Sequence, residues 1–419
     1  MSVTLTNVLP LHREHVRESI VDMWNEFDKD LSPILAGMEL RSVKDGAGRK
    51  FIQPFEFTQG SAVGPDFPTA QAIVQGATDP GSASGRGRWE IDSMNIHTFG
   101  RWTRDAVMAA QGDSSKMLDL LDRETVNMLG RLKKRLAHAV IEAGYGRIGT
   151  ITAAPTTTTV TIGVSQVNRV SIGDEVMAAA AEATGAARAG SFRITGWDPD
   201  TGVLTLSGDP TAQAWANGDT LLFNGYRNTT AAIMPIGLRG WVPATAPTAT
   251  TFWNVNRLNN PDLGGLRINC TNLSHAESFI RMANRAKKYG TKLDAIYCSP
   301  EDFEILSADK DATKITQISV GKYDIGFSGV TVNTLAGDCP VVPDVFIEQG
   351  TCWGGPWKDK RYAPYLFHND DLMNIDDLDG NTFRAVTNAA EYEMRGFFRG
   401  NVVVPAPGRF ICGYNLPAA

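Results

Sequence analysis

Residues 113–143, DSSKMLDLLDRETVNMLGRLKKRLAHAVIEA, are the stretch on which the fold turns. Leu118, Leu121, Thr125, Met128, Leu129, Leu132, Leu136, Ala139, Val140 and Ala143 recur at three- and four-residue spacing and trace one apolar face. Asp113 is placed to cap the N-terminus, Asp119 and Arg123 to pair one turn apart, and Gly144 to end the helix. At 1.5 Å per residue such a helix runs roughly 45 Å, longer than a small domain is wide. Its other side carries Arg131, Lys133, Lys134 and Arg135. That basic side suits either a surface turned towards DNA, where cations release condensed counterions, or an ordinary solvated face.

Upstream, Val16, Ile20, Met23, Trp24 and Phe27 recur at helical spacing, predicting an amphipathic helix over 14–29 that Pro33 stops. So narrow an apolar stripe near a terminus docks on something, either its own chain or a neighbour. The texture then changes. Phe51-Ile-Gln-Pro-Phe-Glu-Phe alternates like a strand, a long Gly/Ser/Ala/Pro stretch follows through GATDPGSASGRGR, and alternation resumes in Trp89-Glu-Ile-Asp-Ser-Met-Asn-Ile. Two strands joined by such a tip predict an extended hairpin over 50–99, far longer than the loops of a compact domain. A lone hairpin cannot bury both faces at home and needs a partner.

Downstream, small and β-branched residues predict short strands from 150 to 228. Turns fall at Gly173-Asp174, Asp198-Pro-Asp-Thr-Gly and Asn217-Gly-Asp219, and FRITGWDPDTGVLTLSG reads as a hairpin. The expectation is a small, self-contained β-barrel, with SIGDEVM and ANGDTLLF as a faint internal echo. Residues 229–273 are loop-dominated, with Pro235, Pro243, Pro247 and Pro261. Regular α/β texture returns with the Ser274/Glu277 capping box, a strand at 293–298, and Ser299-Pro300-Glu-Asp302 opening a helix. Strands are expected at 330–333 and 344–348, and again from 383 to 414, broken by Pro405 and Pro407. The fold class is α+β.

Composition excludes several functions. At 419 residues, 42% hydrophobic and 21% charged, the chain buries a real core. A net charge of -6 argues against a sequence-specific DNA binder. Cys270, Cys298, Cys339, Cys352 and Cys412 are scattered and form no CxxC, as in a reducing cytoplasm. The N-terminus lacks the pattern of a signal peptide, and no run approaches the ~20 apolar residues of a membrane span.

No catalytic constellation emerges. GxxxxGK[ST], GxSxG and HExxH are missing, and His12, His15, His97, His138, His275 and His368 sit in unrelated contexts. His368 with Asp370, Asp371, Asp376, Asp377 and Asp379 has the oxygen density of a Ca²⁺ site but not EF-hand spacing, and a solvated turn ending at Gly380 is favoured. GRGR at 85–88 suits a phosphate contact or, better, a tip whose arginines meet a neighbour's carboxylates. Cys298 reads as a buried strand-end thiol. Trp353-Gly-Gly-Pro-Trp357 reads as core or a subunit contact before a sugar platform. No catalytic, cofactor-binding or metal-binding residue is assigned, and no cofactor is expected.

The order of these elements, an arm, a Gly-tipped hairpin, one long helix, an α/β region and returning strands, resembles the Hong Kong 97-type phage capsid fold. So do three phrases: GLRGWVPATAP at 237–247 with NPDLGGLR at 260–267, DAIYCSPEDFEIL at 294–306, and NAAEYEMRGFFRGNVVVPAPGRFICGYNLP at 388–417. The resemblance implies an N-terminal arm (1–49), an extended loop over a neighbouring subunit (50–99) and a peripheral domain with a spine helix (100–149). It implies a connecting segment (229–273), an axial domain (274–380) and C-terminal strands completing the peripheral sheet (381–419). The β-domain at 150–228 is an insertion. Function would then be that of a major capsid protein assembling as hexamers and pentamers around double-stranded DNA. Its implied partners are a separate scaffolding protein, a portal protein, a decoration protein and, non-specifically, the packaged DNA, in a virion assembled in the host cytoplasm. Membranes are not among them. An encapsulin-type compartment and a carbohydrate-binding tail protein are the alternatives.

Overall fold

The described residues form three six-stranded sheets, two two-stranded ladders and one 28-residue helix that packs on the first sheet. The computed structural model describes residues 32–43, 50–56, 86–103, 105, 114–183, 185–228, 232–248, 251–258, 261–308, 330–335, 337–369, 374–375, 384–385 and 391–417. The helix expected over 14–29, the hairpin tip over 57–85, the cap at Asp113 and Asp370, Asp371, Asp376, Asp377 and Asp379 lie outside them.

The described chain opens with a short helix, α1 (Pro33–Gly37), followed by β1 (Glu39–Val43), β2 (Lys50–Glu56), β3 (Arg86–Asp92) and β4 (Met94–Thr103). The long helix is α2 (Ser114–Ile141). Six strands follow: β5 (Arg147–Thr150), β6 (Thr159–Thr161), β7 (Glu175–Ala179), β8 (Phe192–Trp197), β9 (Val203–Leu206) and β10 (Thr220–Phe223). Next are α3 (Leu238–Trp241), β11 (Thr251–Phe252), β12 (Val255–Asn256), α4 (Pro261–Gly264), β13 (Leu266–Asn269), α5 (His275–Lys288), β14 (Ala295–Cys298) and α6 (Pro300–Ala308). The last strands are β15 (Val330–Thr334), β16 (Gly337–Pro343), β17 (Thr351–Gly355), β18 (Tyr365–Asn369), β19 (Asn374–Ile375), β20 (Arg384–Ala385), β21 (Glu391–Val403) and β22 (Ile411–Tyr414).

β2 and β3 pair antiparallel from Lys50↔Asp92 to Glu56↔Arg86. Their inner face is amphipathic by design of the period: Phe55, Trp89 and Ile91 are buried, whereas Ile52 and Arg88 point out. Trp89 packs edge-on against Trp241 (ring centroids 5.2 Å apart) and Phe252 (6.1 Å), and Phe51 stacks on Phe367 at 4.8 Å. The hairpin base is therefore rooted in the core by one face only. Gly87 faces Phe55 across the pair, and a Cβ there would overlap the Phe55 ring. Gly87→Val is expected to expel that ring and cost ~1–3 kcal/mol. Equilibrium denaturation checks it; an unchanged midpoint would show that the packing is loose.

The chain bends at Ser93, and β4 runs ten residues alongside β21, from Met94↔Gly400 to Thr103↔Glu391. The hairpin proper thus ends earlier than 99. β1, β4, β18, β19, β20 and β21 make one sheet. α2 covers its inner face, burying Met128, Leu129, Leu132, Leu136, Ala139 and Val140 as the periodicity predicts.

The second sheet runs β5-β10-β7-β8-β9-β6 around its own core of Ile148, Val160, Ile162, Val176, Ile194, Leu204, Leu221 and Phe223. It is not the closed barrel that its composition suggested. Its edge strands are linked only just beyond their ends, by the bridge Ile151↔Ile162 and the Thr152 N–H to the Thr161 carbonyl (2.9 Å), before the chain turns through Pro155 and Thr156–Thr159. The SIGDEVM/ANGDTLLF echo is one turn chemistry used twice. Gly173 (φ +93°) and Gly218 (φ +90°) adopt the left-handed region. Asp174 then accepts the Ser171 N–H at 2.9 Å, and Asp219 accepts the Ala216 N–H at 2.8 Å.

The third sheet runs β13-β22-β17-β14-β16-β15, with α5 and α6 packed on it. Ser274 caps α5 at the Glu277 N–H (3.2 Å), and Ser299 accepts the Asp302 N–H at the start of α6 (3.1 Å). Two features differ from expectation. Residues 344–348 form a turn, not a strand, because the buried Asp344 carboxylate bonds the Phe346 N–H (3.0 Å) and curls the chain. The final strand β22 leaves the sheet of β21 for that of β14 and β17; Pro405 and Pro407 break the ladder and let it cross.

Candidate assembly surfaces

The loop following β16 is where the elements meet. Asp344 accepts hydrogen bonds from the Ser32 hydroxyl (2.6 Å) and the Ile34 N–H (3.2 Å), tying down the N-terminal end of the described chain. Burial raises the Asp344 carboxyl above its usual range against those bonds. The Val345 carbonyl accepts from Asn168, and the Phe346 carbonyl from Arg169. Glu348 takes a two-pronged contact from Arg147 (2.5 and 2.9 Å) and a bond from Gln166 (2.7 Å). Arg239 of α3 bridges Glu348 (3.2 Å) and Glu142 (3.4 Å). Glu142, at the end of α2, also receives fully buried Arg169 at 2.8 Å. One buried ionic knot thus joins α2, the β5–β10 unit, α3 and this loop.

The knot makes stability pH-dependent. Burial pushes the Glu348 carboxyl up, but Arg147, Arg239 and Arg169 outweigh it and bring the pKa down to about 2. A depressed folded-state pKa gives stability that is complete above the ordinary 4.5 and lost as pH falls from there towards 2. Behind the knot, burial, reinforced by Arg169 and Arg135, holds His138 neutral with its pKa well below 6.5. Unfolding lets it take up a proton, so stability also falls as pH drops below about 6.5. Urea titrations between pH 7 and 3 should show two losses. Glu348→Gln should abolish the lower one and His138→Gln the upper; a single, unaltered loss in either variant would contradict the assignment.

Most of the basic side of α2 is turned inward rather than solvated. Lys133 is only 2% exposed and Lys134 bonds the Val170 carbonyl (2.7 Å) and Ser171 hydroxyl (3.1 Å). Arg135 pairs with Asp174 (3.2 Å) over the Phe223 ring. These cations hold the β5–β10 unit against the helix, leaving Arg131 exposed. GRGR is likewise not a free tip: residues 86–88 lie in β3, and Arg88 pairs with its own Glu90 at 3.0 Å.

Trp353 is core and Trp357 packs half-buried against it. Their indoles donate to the Val242 (3.4 Å) and Ala295 (3.0 Å) carbonyls, and Trp357 meets Tyr297 and Phe410 edge-on. Trp197, 41% exposed, stands alone on the outside of β8. All five cysteines are free and buried, and burial lifts the Cys298 thiol well above its usual range. Among the described residues no cluster of three metal-ligating side chains occurs, and no helix is long and apolar enough to cross a membrane.

Among the described residues, three outward surfaces are candidates for contact with a partner. The first is the outer face of the β2–β3 hairpin. The second is the β15–β16 turn, where Leu335 is 84% exposed. The third is the face of β4 and β21 opposite α2. There Asn95, His97, Phe99 and Arg101 lie across from Arg399, Phe397, Arg395 and Glu393 and line a groove of about 590 Å³. The buried knot escaped the sequence because Glu142, Arg169 and Glu348 lie far apart in the chain with no local spacing to link them. The β4–β21 face was missed as well; the alternation of FGRWT and EMRGFFRG is the signal that could have found it.

No protein-family model matches the sequence, and no curated protein matches it. Among solved structures, the chain is similar to the capsid asymmetric unit of cyanophage A-1(L), at 10% identity over 91% of each chain, TM-score 0.47. It is similar to an encapsulin complex from Synechococcus elongatus at 8% identity, covering 93% of this chain and 89% of that one, TM-score 0.42. A third likeness is to the procapsid of satellite phage P4, at 10% identity over 97% and 100% of the two chains, TM-score 0.41.

Proposed function

We propose that this chain is a shell subunit, the major capsid protein of a tailed bacteriophage, with no catalytic role. The observation that carries it is the hairpin. Its base is fixed in the core by Phe55, Trp89 and Ile91, while Ile52 and Arg88 on the other face are exposed, with no described residue packed over them. A rigidly held ladder with one open face is built to lie on a neighbour. In this reading the sheet of β1, β4 and β18–β21 with α2 is the peripheral domain. The sheet of β13–β17 and β22 is the axial domain, its Leu335 turn meeting copies around a capsomer axis, and the β5–β10 unit is the insertion. Hexamers and pentamers would form the shell in the host cytoplasm with a scaffolding protein and a portal, to be filled with double-stranded DNA and, in some shells, covered by a decoration protein.

Hydrophobic contact supplies the drive and charge matching the register. Buried Trp353 and half-buried Trp357, packed on Tyr297 and Phe410, argue against a sugar platform. The test is particle mass by light scattering with negative-stain microscopy, alone and with a candidate scaffolding protein. Capsomers or closed shells are expected, and DNA inside them separates a phage head from an encapsulin-type compartment. A 45.4 kDa species at every concentration would overturn the proposal.

A further inference from the structure

We infer that the β4–β21 groove is the seat of residues 14–29 from a second copy of the chain; this rests on the shell reading and names one of its contacts. The groove is apolar at its middle and cationic at its margins. Phe99 is 62% exposed beside Phe397, with Arg101, Arg395 and Arg399 around them. Glu393, the carboxylate within it, is already engaged by Arg395 at 2.5 Å and Arg101 at 3.8 Å. No ion pair to Arg399 occurs among the described residues. An aromatic floor ringed by arginines selects an apolar stripe edged with carboxylates.

Residues 14–29 have that chemistry. Val16, Ile20, Met23, Trp24 and Phe27 make the stripe, and Glu14, Glu18, Asp22 and Glu26 recur every fourth residue beside it. The basic members of the segment are Arg17 and Lys29.

Geometry decides between the chain's own groove and a neighbour's. Ser32 is pinned to Asp344, and α1 packs on α2, which covers the inner face of the sheet. The groove is on the outer face. Only Asp30 and Leu31 separate the segment from Ser32, a span of roughly 10 Å at most. That is too short to carry the segment around the sheet to the far side, so the groove it fills belongs to another copy.

The experiment uses the full chain with photoreactive benzoylphenylalanine replacing Phe99, irradiated in the assembled state, with linked peptides read by mass spectrometry. Links between chains to residues 14–29 are expected. The pair Arg101→Glu and Arg399→Glu should cut their yield about tenfold, and Glu18→Arg with Asp22→Arg should restore it. Links within one chain, links to another segment such as 57–85, or no links in formed particles would overturn the inference while leaving the shell reading intact. A chain that never assembles fails the shell reading itself, by the particle-mass measurement.

Discussion

Arg169→Met will lower the free energy of unfolding by ~3–5 kcal/mol, the cost of breaking a buried pair from one side. The guanidinium has no solvent exposure and serves three elements at once, through Glu142 (2.8 Å), the Ile148 carbonyl (2.7 Å) and the Phe346 carbonyl. Methionine fills similar volume but leaves Glu142 short of a partner in a place water does not reach. Neutralising the acid as well should recover part of the loss, so Glu142→Gln with Arg169→Met should cost less than the two single changes summed. Urea unfolding of the four variants of the cycle measures this. Strict additivity would mean that the knot is not coupled as its geometry implies.

Trp89→Ala is the second large effect, ~3–5 kcal/mol for removing a fully buried indole. Its position makes the consequence more than loss of stability. Trp89 is the contact through which the hairpin base meets Trp241 and Phe252 of the loop-rich segment after the β5–β10 unit. Without it the hairpin loses the anchor that sets its direction. Particle yield should therefore fall further than the stability of the unassembled chain accounts for. Trp89→Phe keeps an aromatic edge and should restore much of the assembly. If Trp89→Ala assembled normally after losing stability, the hairpin would not be the assembling element.

The elements that repeat on a short period were legible in the sequence. α2, the Ser274 and Ser299 caps, the β8–β9 hairpin and the strands flanking the hairpin tip each carry their signal within a dozen residues. What remained hidden depends on pairs far apart. The barrel expectation failed because closure is settled by whether two end strands can meet, and these are linked only just beyond their ends, before the chain turns through Pro155. The strand expected over 344–348 failed because the apolar run Val345-Phe346-Ile347 was overruled by Asp344, whose partners include Ser32, over three hundred residues away. The basic side of α2 was visible as charge. Its destination was not, since Asp174 and Val170 lie in the next folding unit.

The β5–β10 unit leaves and rejoins the rest of the chain at one spot: Arg147 pairs with Leu222, and the Phe223 N–H bonds the Gly146 carbonyl at 2.9 Å. Such a closed gate is what makes a segment exchangeable, for display of a foreign domain or for simple excision. The difficulty lies in the socket. Glu142, buried, and Glu348, half-buried, stay behind when Arg147 and Arg169 depart with the unit. A graft that joins the ends at 146 and 224 must also transplant the two arginines, or replace both acids by neutral residues. Otherwise it leaves two acids sharing Arg239 as the one remaining cation of the knot.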